Sequence, residues 1–148
     1  MKDDYIKVHY KEKCNYNNGF KNQKRNNIHY IYYRNVTYSD KEELKLTDGS
    51  ILEINFNFPI DSLESFFDSR YDKNMLKVES INLTKFNLTS NNVNKMDNMF
   101  YKCSSLKSIY FSSFTPKKFP SMSQLFSGCS SLISVNFSSS LSEYVTFL

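Results

Sequence analysis

Apolar positions between Met96 and Leu148 recur in a fixed register. Placing residues 96–122 over 122–148 sets Met96 on Met122, Met99 on Leu125, Phe100 on Phe126, Cys103 on Cys129, Leu106 on Leu132, Ile109 on Val135 and Phe111 on Phe137, always 26 residues apart. The tetrad Cys-Ser-Ser-Leu is identical in both copies. A looser copy precedes them, with Val78, Ile81, Leu83 and Phe86 matching Leu106, Ile109, Phe111 and Phe114 at an offset of 28. The two extra residues fall in the Asn87–Asn92 loop, where an insertion costs little chain entropy. A fainter echo is Ile54-Asn55-Phe56 followed by Leu63, Phe66 and Phe67.

Each copy changes period halfway. Met96, Met99, Phe100 and Cys103 lie at i, i+3, i+4 and i+7, and Met122, Leu125, Phe126 and Cys129 repeat the spacing, which predicts one face of a short helix. Ser121 with Gln124 three residues on, just after Pro120, reads as its capping box. The spacing then becomes Leu106-x-x-Ile109-x-Phe111, and its terminal alternation predicts a strand. The expected fold is therefore an α/β solenoid of leucine-rich-repeat coils, one short helix and one parallel strand per 26 residues or so, with a core made by stacking. Residues 61–148 would form the solenoid, with clear repeats over 93–148 and a probable one over 75–92.

Residues 1–60 read as a β-rich N-terminal cap or small domain, since an open solenoid end must be covered. Tyr5 to Tyr10 alternates, as does Ile28 to Tyr33. Glu43–Thr47, the turn pair Asp48-Gly49, and Ile51–Phe58 give a hairpin signal, with Leu52, Ile54, Phe56 and Phe58 on one face. Cys14–Asn27, rich in Asn and Lys, reads as a loop.

The run from Val93 through Met96, Met99-Phe100, Cys103 and Leu106 to Phe114, repeated from Met122 to Ser139, resembles the BspA-like leucine-rich-repeat surface proteins (the DUF285 repeat). The resemblance covers roughly residues 75–148, its most specific part being Met-Phe-x-x-Cys-x-x-Leu. It implies a right-handed leucine-rich-repeat solenoid and a role in adhesion at a cell surface. The chain departs from that pattern in having few repeats and no visible signal peptide.

The N-terminus, Met1-Lys2-Asp3-Asp4-Tyr5, lacks the apolar stretch of a secretory signal, and no apolar run approaches the ~20 residues of a spanning helix. As written, the sequence predicts a cytoplasmic product, whereas the resemblance implies the cell surface if residues precede Met1. At the other end, Val145 and Leu148 stand in register with the start of a further coil and no polar cap follows. That predicts either a fragment or self-association through the uncapped C-terminal coil.

The chain lacks alanine and tryptophan and is rich in Asn, Lys, Tyr, Phe and Ser, as a biased coding sequence would make it, so Asn and Lys counts carry little functional weight. Charge does change the picture locally. Lys2, Lys7, Lys11, Lys13, Lys21, Lys24, Arg25 and Arg34 face only Asp3, Asp4 and Glu12 within residues 1–38, in a chain of net charge +4. This basic, tyrosine-rich stretch supports an alternative reading, binding of nucleic acid or an anionic surface, although a solvated lysine-rich face gives the same pattern.

Catalytic signals are sparse. Cys14, Cys103 and Cys129 are odd in number and without CxxC spacing, which fits neither a disulfide framework nor a zinc site. Cys14 with His29 is the one imaginable nucleophile pair, and it lacks an orienting Asn or Asp. Three glycines leave no phosphate loop, and no carboxylates are spaced for acid–base work. Cys103 over Cys129 and Met96 over Met122 form a soft column that could in principle hold Cu(I), but adaptable core filling explains it more simply. The sequence thus points to a non-enzyme without cofactor, metal or small-molecule substrate, whose partner is a protein. The contact surface would be the outward strand positions Ser80, Asn82 and Thr84, then Ser108, Tyr110 and Ser112, then Ser134, Asn136 and Ser138.

Overall fold

Side-chain alternation carries the N-terminal half into strands. The computed structural model describes residues 5–16, 28–33, 36–38, 44–56, 61–87, 93–111 and 120–137. Among the described residues nine strands form in chain order: β1 (Tyr5–Tyr10), β2 (Cys14–Tyr16), β3 (Ile28–Tyr33), β4 (Val36–Tyr38), β5 (Leu44–Leu46), β6 (Ile51–Phe56), β7 (Val78–Leu83), β8 (Ser108–Phe111) and β9 (Ser134–Phe137). Seven of them make one mixed sheet, ordered β4-β3-β6-β1-β7-β8-β9, and β2 pairs β5 in a second, two-stranded sheet. The pairs β1–β6, β1–β7, β3–β4 and β3–β6 are antiparallel, while β7–β8 and β8–β9 are parallel.

This corrects the expected α/β solenoid. The large sheet is open, neither closed nor curled, and the described residues contain no α-helix, only a 3₁₀ turn at Lys73–Lys77. Where helices were expected, the chain makes β-turns in tandem. Met99 N–H donates to Met96 O, Cys103 N–H to Phe100 O and Leu106 N–H to Cys103 O; Leu125, Cys129 and Leu132 do the same to Met122, Phe126 and Cys129. The third residue of the first two turns in each set has positive φ: Asn98 (54°) and Lys102 (57°), then Gln124 (53°) and Gly128 (80°). A left-handed residue every four positions prevents a helix from propagating.

The reason the pattern misleads is geometric. Tandem four-residue turns bring their corner residues i, i+3, i+4 and i+7 inward and leave the central pairs outside, the same spacing that marks a helix face. Met96, Met99, Phe100, Cys103 and Leu106 are accordingly buried, while Asp97, Asn98, Tyr101 and Lys102 are not. The capping box is absent too. Ser121 Oγ and Ser123 N–H donate to Asp97 Oδ1, one repeat back, and Gln124 is itself a left-handed turn residue.

Three rungs result, each a turn row followed by a strand. In the first, Leu63, Phe66 and Phe67 precede the 3₁₀ turn and β7, so this half of the fainter echo and the looser copy belong to one rung, while its other half, Ile54-Asn55-Phe56, lies on β6. The strand registers Ser80↔Ser108↔Ser134 and Ile81↔Ile109↔Val135 keep the 28- and 26-residue offsets. The turn rows are joined by a second ladder. Leu63, Ser65, Phe67 and Ser69 N–H donate to the carbonyls of Lys95, Asp97, Met99 and Tyr101, and Met96, Asn98, Phe100 and Lys102 N–H to those of Ser121, Ser123, Leu125 and Ser127.

Rungs also stack through side chains. Phe100 lies parallel to Phe67 (centroids 5.8 Å) and to Phe126 (5.7 Å), with Phe111 edge-on. Cys103 Sγ–H donates to Phe67 O and Cys129 Sγ–H to Phe100 O, each 3.0 Å, satisfying carbonyls one rung back. The first rung carries Arg70 where later rungs carry cysteine. Its guanidinium grips the fully buried Asp68 carboxylate through Nε and Nη2 and lies 4.1 Å from the centroid of the Tyr101 ring in the next rung. A buried carboxylate needs such a partner.

The hairpin expected from Glu43 to Phe58 also differs. Thr47–Ser50 does turn, with Gly49 at φ 72°, but β5 leaves to pair with β2. β6 has both edges occupied, by β1 and β3, so β5 finds no edge there. Leu52 and Ile54 share the buried face as expected, whereas Phe58 and most of the Cys14–Asn27 stretch lie outside the described residues. One apolar core runs from Ile6 on β1 to Leu125 in the third rung, so the N-terminal strands extend the sheet of the repeats.

Of the two described turn glycines, Gly128 has the less room. A Cβ there would sit 2.9 Å from Lys102 Cγ and 3.1 Å from Lys102 Cα, whereas one at Gly49 meets nothing within 4 Å. Gly128→Ala should therefore destabilise the fold by about 1–2 kcal/mol. Gly49→Ala should cost less. Urea midpoints at unchanged m-value measure both.

Candidate functional site: the outer face of the mixed sheet

Residues pointing away from the core line up across strands. One row, set by the pairing register, is Asn136, Tyr110, Asn82, Lys7 and Glu53, running over β9, β8, β7, β1 and β6. A second is Ser134, Ser108, Ser80, His9 and Ile51. Of the positions expected from sequence, Ser80, Ser108 and Ser134 are adjacent and half-buried, as is Asn82. Tyr110 (39% exposed) and Asn136 stand out to solvent.

Thr84 is brought near but not onto the strand. It starts the turn after β7, and its N–H and Oγ1–H donate to Asn82 Oδ1 at 2.8 and 2.6 Å. That oxygen is committed inside the chain. Ser112 and Ser138 lie outside the described residues.

The first rung carries one irregularity with consequences for charge. Opposite the His9–Tyr10 step, β7 contains an additional residue, Glu79. A bulge re-aims a side chain, and Glu79 reaches Lys107 Nζ at 2.8 Å and His9 Nδ1 at 3.8 Å. The Lys107 hydrogen bond and charge hold the Glu79 carboxyl below its ordinary range, helped by His9 and Lys11 against a smaller desolvation effect. Lys7 pairs with Glu53 at 3.1 Å, and that hydrogen bond raises its pKa. Exposed pairs of this kind add little stability, but they neutralise the face.

Sequence reasoning missed Lys7, His9, Glu53 and Glu79 as members of this surface. Their alternation is legible, but not that β1 would lie between β6 and β7, joining the N-terminal segment to the repeats.

The other chemical candidates disperse. Cys14 lies on the two-stranded sheet and His29 on the seven-stranded one. Among the described residues, no three His, Cys, Asp or Glu side chains are grouped to hold a metal ion. No helix there is long and apolar enough to cross a membrane. Cys103 and Cys129 are not joined in a disulfide, and both thiols turn to backbone carbonyls. Burial pushes the Cys129 thiol up to about 11, against a smaller opposing effect of the Cys103 backbone.

A raised pKa keeps Cys129 protonated, and the thiolate is the reactive form. In native protein at pH 7.5, Cys129 should react with iodoacetamide at least about 100-fold more slowly than a free cysteine of pKa ~8.5. Mass spectrometry of the alkylated chain measures this, with urea-unfolded protein as the fast reference.

No family model matches this chain, and neither a curated protein nor a solved structure matches it.

Proposed function

We propose that this protein is a non-catalytic recognition module that binds a protein partner through the outer face of its mixed sheet, in the manner of an adhesion domain. The observation carrying this reading is the row Asn136–Tyr110–Asn82–Lys7–Glu53, held in register by backbone pairing across five strands. A rigid sheet presents such side chains with little ordering cost on association, and an exposed tyrosine gives large contact area with few rotatable bonds. The resemblance of the repeated residues to BspA-like surface proteins supports the same class of role.

Binding of nucleic acid or an anionic surface through residues 1–38 is the second reading. Two of its described cations, Lys7 and Lys11, are already in ion pairs with Glu53 and Glu12. That favours the protein partner.

The test uses full-length chain as bait in a quantitative pull-down, with Tyr110→Ala and Asn136→Ala variants checked for unchanged circular dichroism. Loss of Tyr110 should weaken capture of the specific partner by about tenfold or more, with modest dependence on salt. Unchanged capture by both variants removes the strand face as the site. Capture of nucleic acid that falls steeply between 50 and 200 mM salt and disappears without residues 1–38 would favour the second reading.

A further inference from the structure

The ladder between turn rows has a direction. In the first two rungs, alternate N–H groups point to the following rung and find carbonyls there, while that rung's carbonyls point back. From Leu63 to Ser69 and from Met96 to Lys102 the turn row thus donates on one side and accepts on the other, whereas Asn94 and Ser121 N–H, at the start of each row, donate back to Asp61 O and Asn94 O. In the third rung, the equivalent amides are those of Met122, Gln124, Phe126 and Gly128, and none meets an acceptor among the described residues.

Side chains mark the same boundary. Met96, Phe100, Cys103, Leu106 and Ile109 are buried, but their third-rung equivalents Met122, Phe126, Cys129, Leu132 and Val135 are only partly covered. The Phe126 ring stacks on Phe100 at 5.7 Å. Among the described residues β9 is the last strand of the large sheet. In the column where Glu79 and Lys107 pair, the third rung carries Ile133, 82% exposed.

We propose that this end is a docking site for a polypeptide segment carrying one more copy of the same repeat, which adds to β9 in parallel and to the Met122–Gly128 row. The established rung-to-rung contact specifies that occupant. Its backbone supplies carbonyls at alternate residues to the four amides. An aromatic or large aliphatic side chain stacks on Phe126, and a thiol or hydroxyl reaches Phe126 O as Cys103 reaches Phe67 O. A helix has no such carbonyl row to offer. A phosphate or nucleic-acid ligand would have to lie against the half-buried Met122, Phe126 and Cys129. This surface is the edge of β9 and the last turn row, whereas the strand face is the outer side of the sheet, so either can fail without the other.

The experiment is amide hydrogen exchange by NMR on the full chain, alone and with a synthetic peptide of the sequence 120–137. In the free, dilute chain, the amides of Met122, Gln124, Phe126 and Gly128 should exchange at least about 100-fold faster than those of Met96, Asn98, Phe100 and Lys102. Saturating peptide should slow the four by about tenfold or more, and a peptide carrying Phe126→Ala should protect them less. Three results overturn the proposal. One is no protection at saturating peptide. Another is slow exchange already in the dilute monomer, meaning that residues 138–148 occupy the site. The last is protection that grows only with chain concentration, meaning that a second copy does.

Discussion

The ladder of backbone hydrogen bonds between successive turn rows is the constraint on which the repeat region depends. A turn row that satisfied all its amides internally would be a helix, and its rungs would touch only through side chains. In the first two rungs every second amide of the turn row leaves its own rung, and the second and third rungs place a left-handed residue near the end of each of their first two four-residue turns. The cost of those residues, of order 1–2 kcal/mol each for a side chain with a Cβ, is offset by hydrogen bonds in a buried setting, where an orphaned amide is expensive. The parallel phenylalanine stack and the thiol-to-carbonyl bonds then follow from rungs held at a fixed spacing.

The same constraint shapes the surfaces. Fixed spacing sets β7, β8 and β9 in parallel register, and β1 and β6 carry that register into the N-terminal half. The outer face is therefore one lattice of side chains built from two regions of different sequence character. Its charges are largely paired within it, Lys7 with Glu53 and Lys107 with Glu79, leaving Tyr110, Asn136 and Ile51 as its prominent neutral contacts.

Legibility in the sequence divided along physical lines. The 26-residue offset correctly placed Ser108 beside Ser134 and Tyr110 beside Asn136, because parallel neighbours in a repeat must be equivalent residues. The inward set Leu106, Ile109 and Phe111 was equally plain. The helix was not there, because spacing at i, i+3, i+4 and i+7 does not distinguish a helix face from tandem turn corners. Gly128 and Asn98, residue types that tolerate positive φ, were the available clue, but Lys102 and Gln124 give no such sign. Five residues of 3₁₀ turn at Lys73–Lys77 hid the first rung by separating Leu63, Phe66 and Phe67 from Val78, Ile81 and Leu83. Strand order in residues 1–60 was not legible, since alternation fixes which face a residue takes but not which strand lies beside it.

Amides of the first two turn rows bond to the next rung and not within a helix. Scalar couplings across hydrogen bonds, measured by NMR on isotopically labelled protein, test it directly. A coupling is expected between the Phe100 nitrogen and the Leu125 carbonyl carbon, and likewise between Lys102 and Ser127. A coupling from the Phe100 nitrogen to the Met96 carbonyl carbon, the i−4 bond of an α-helix, would contradict it.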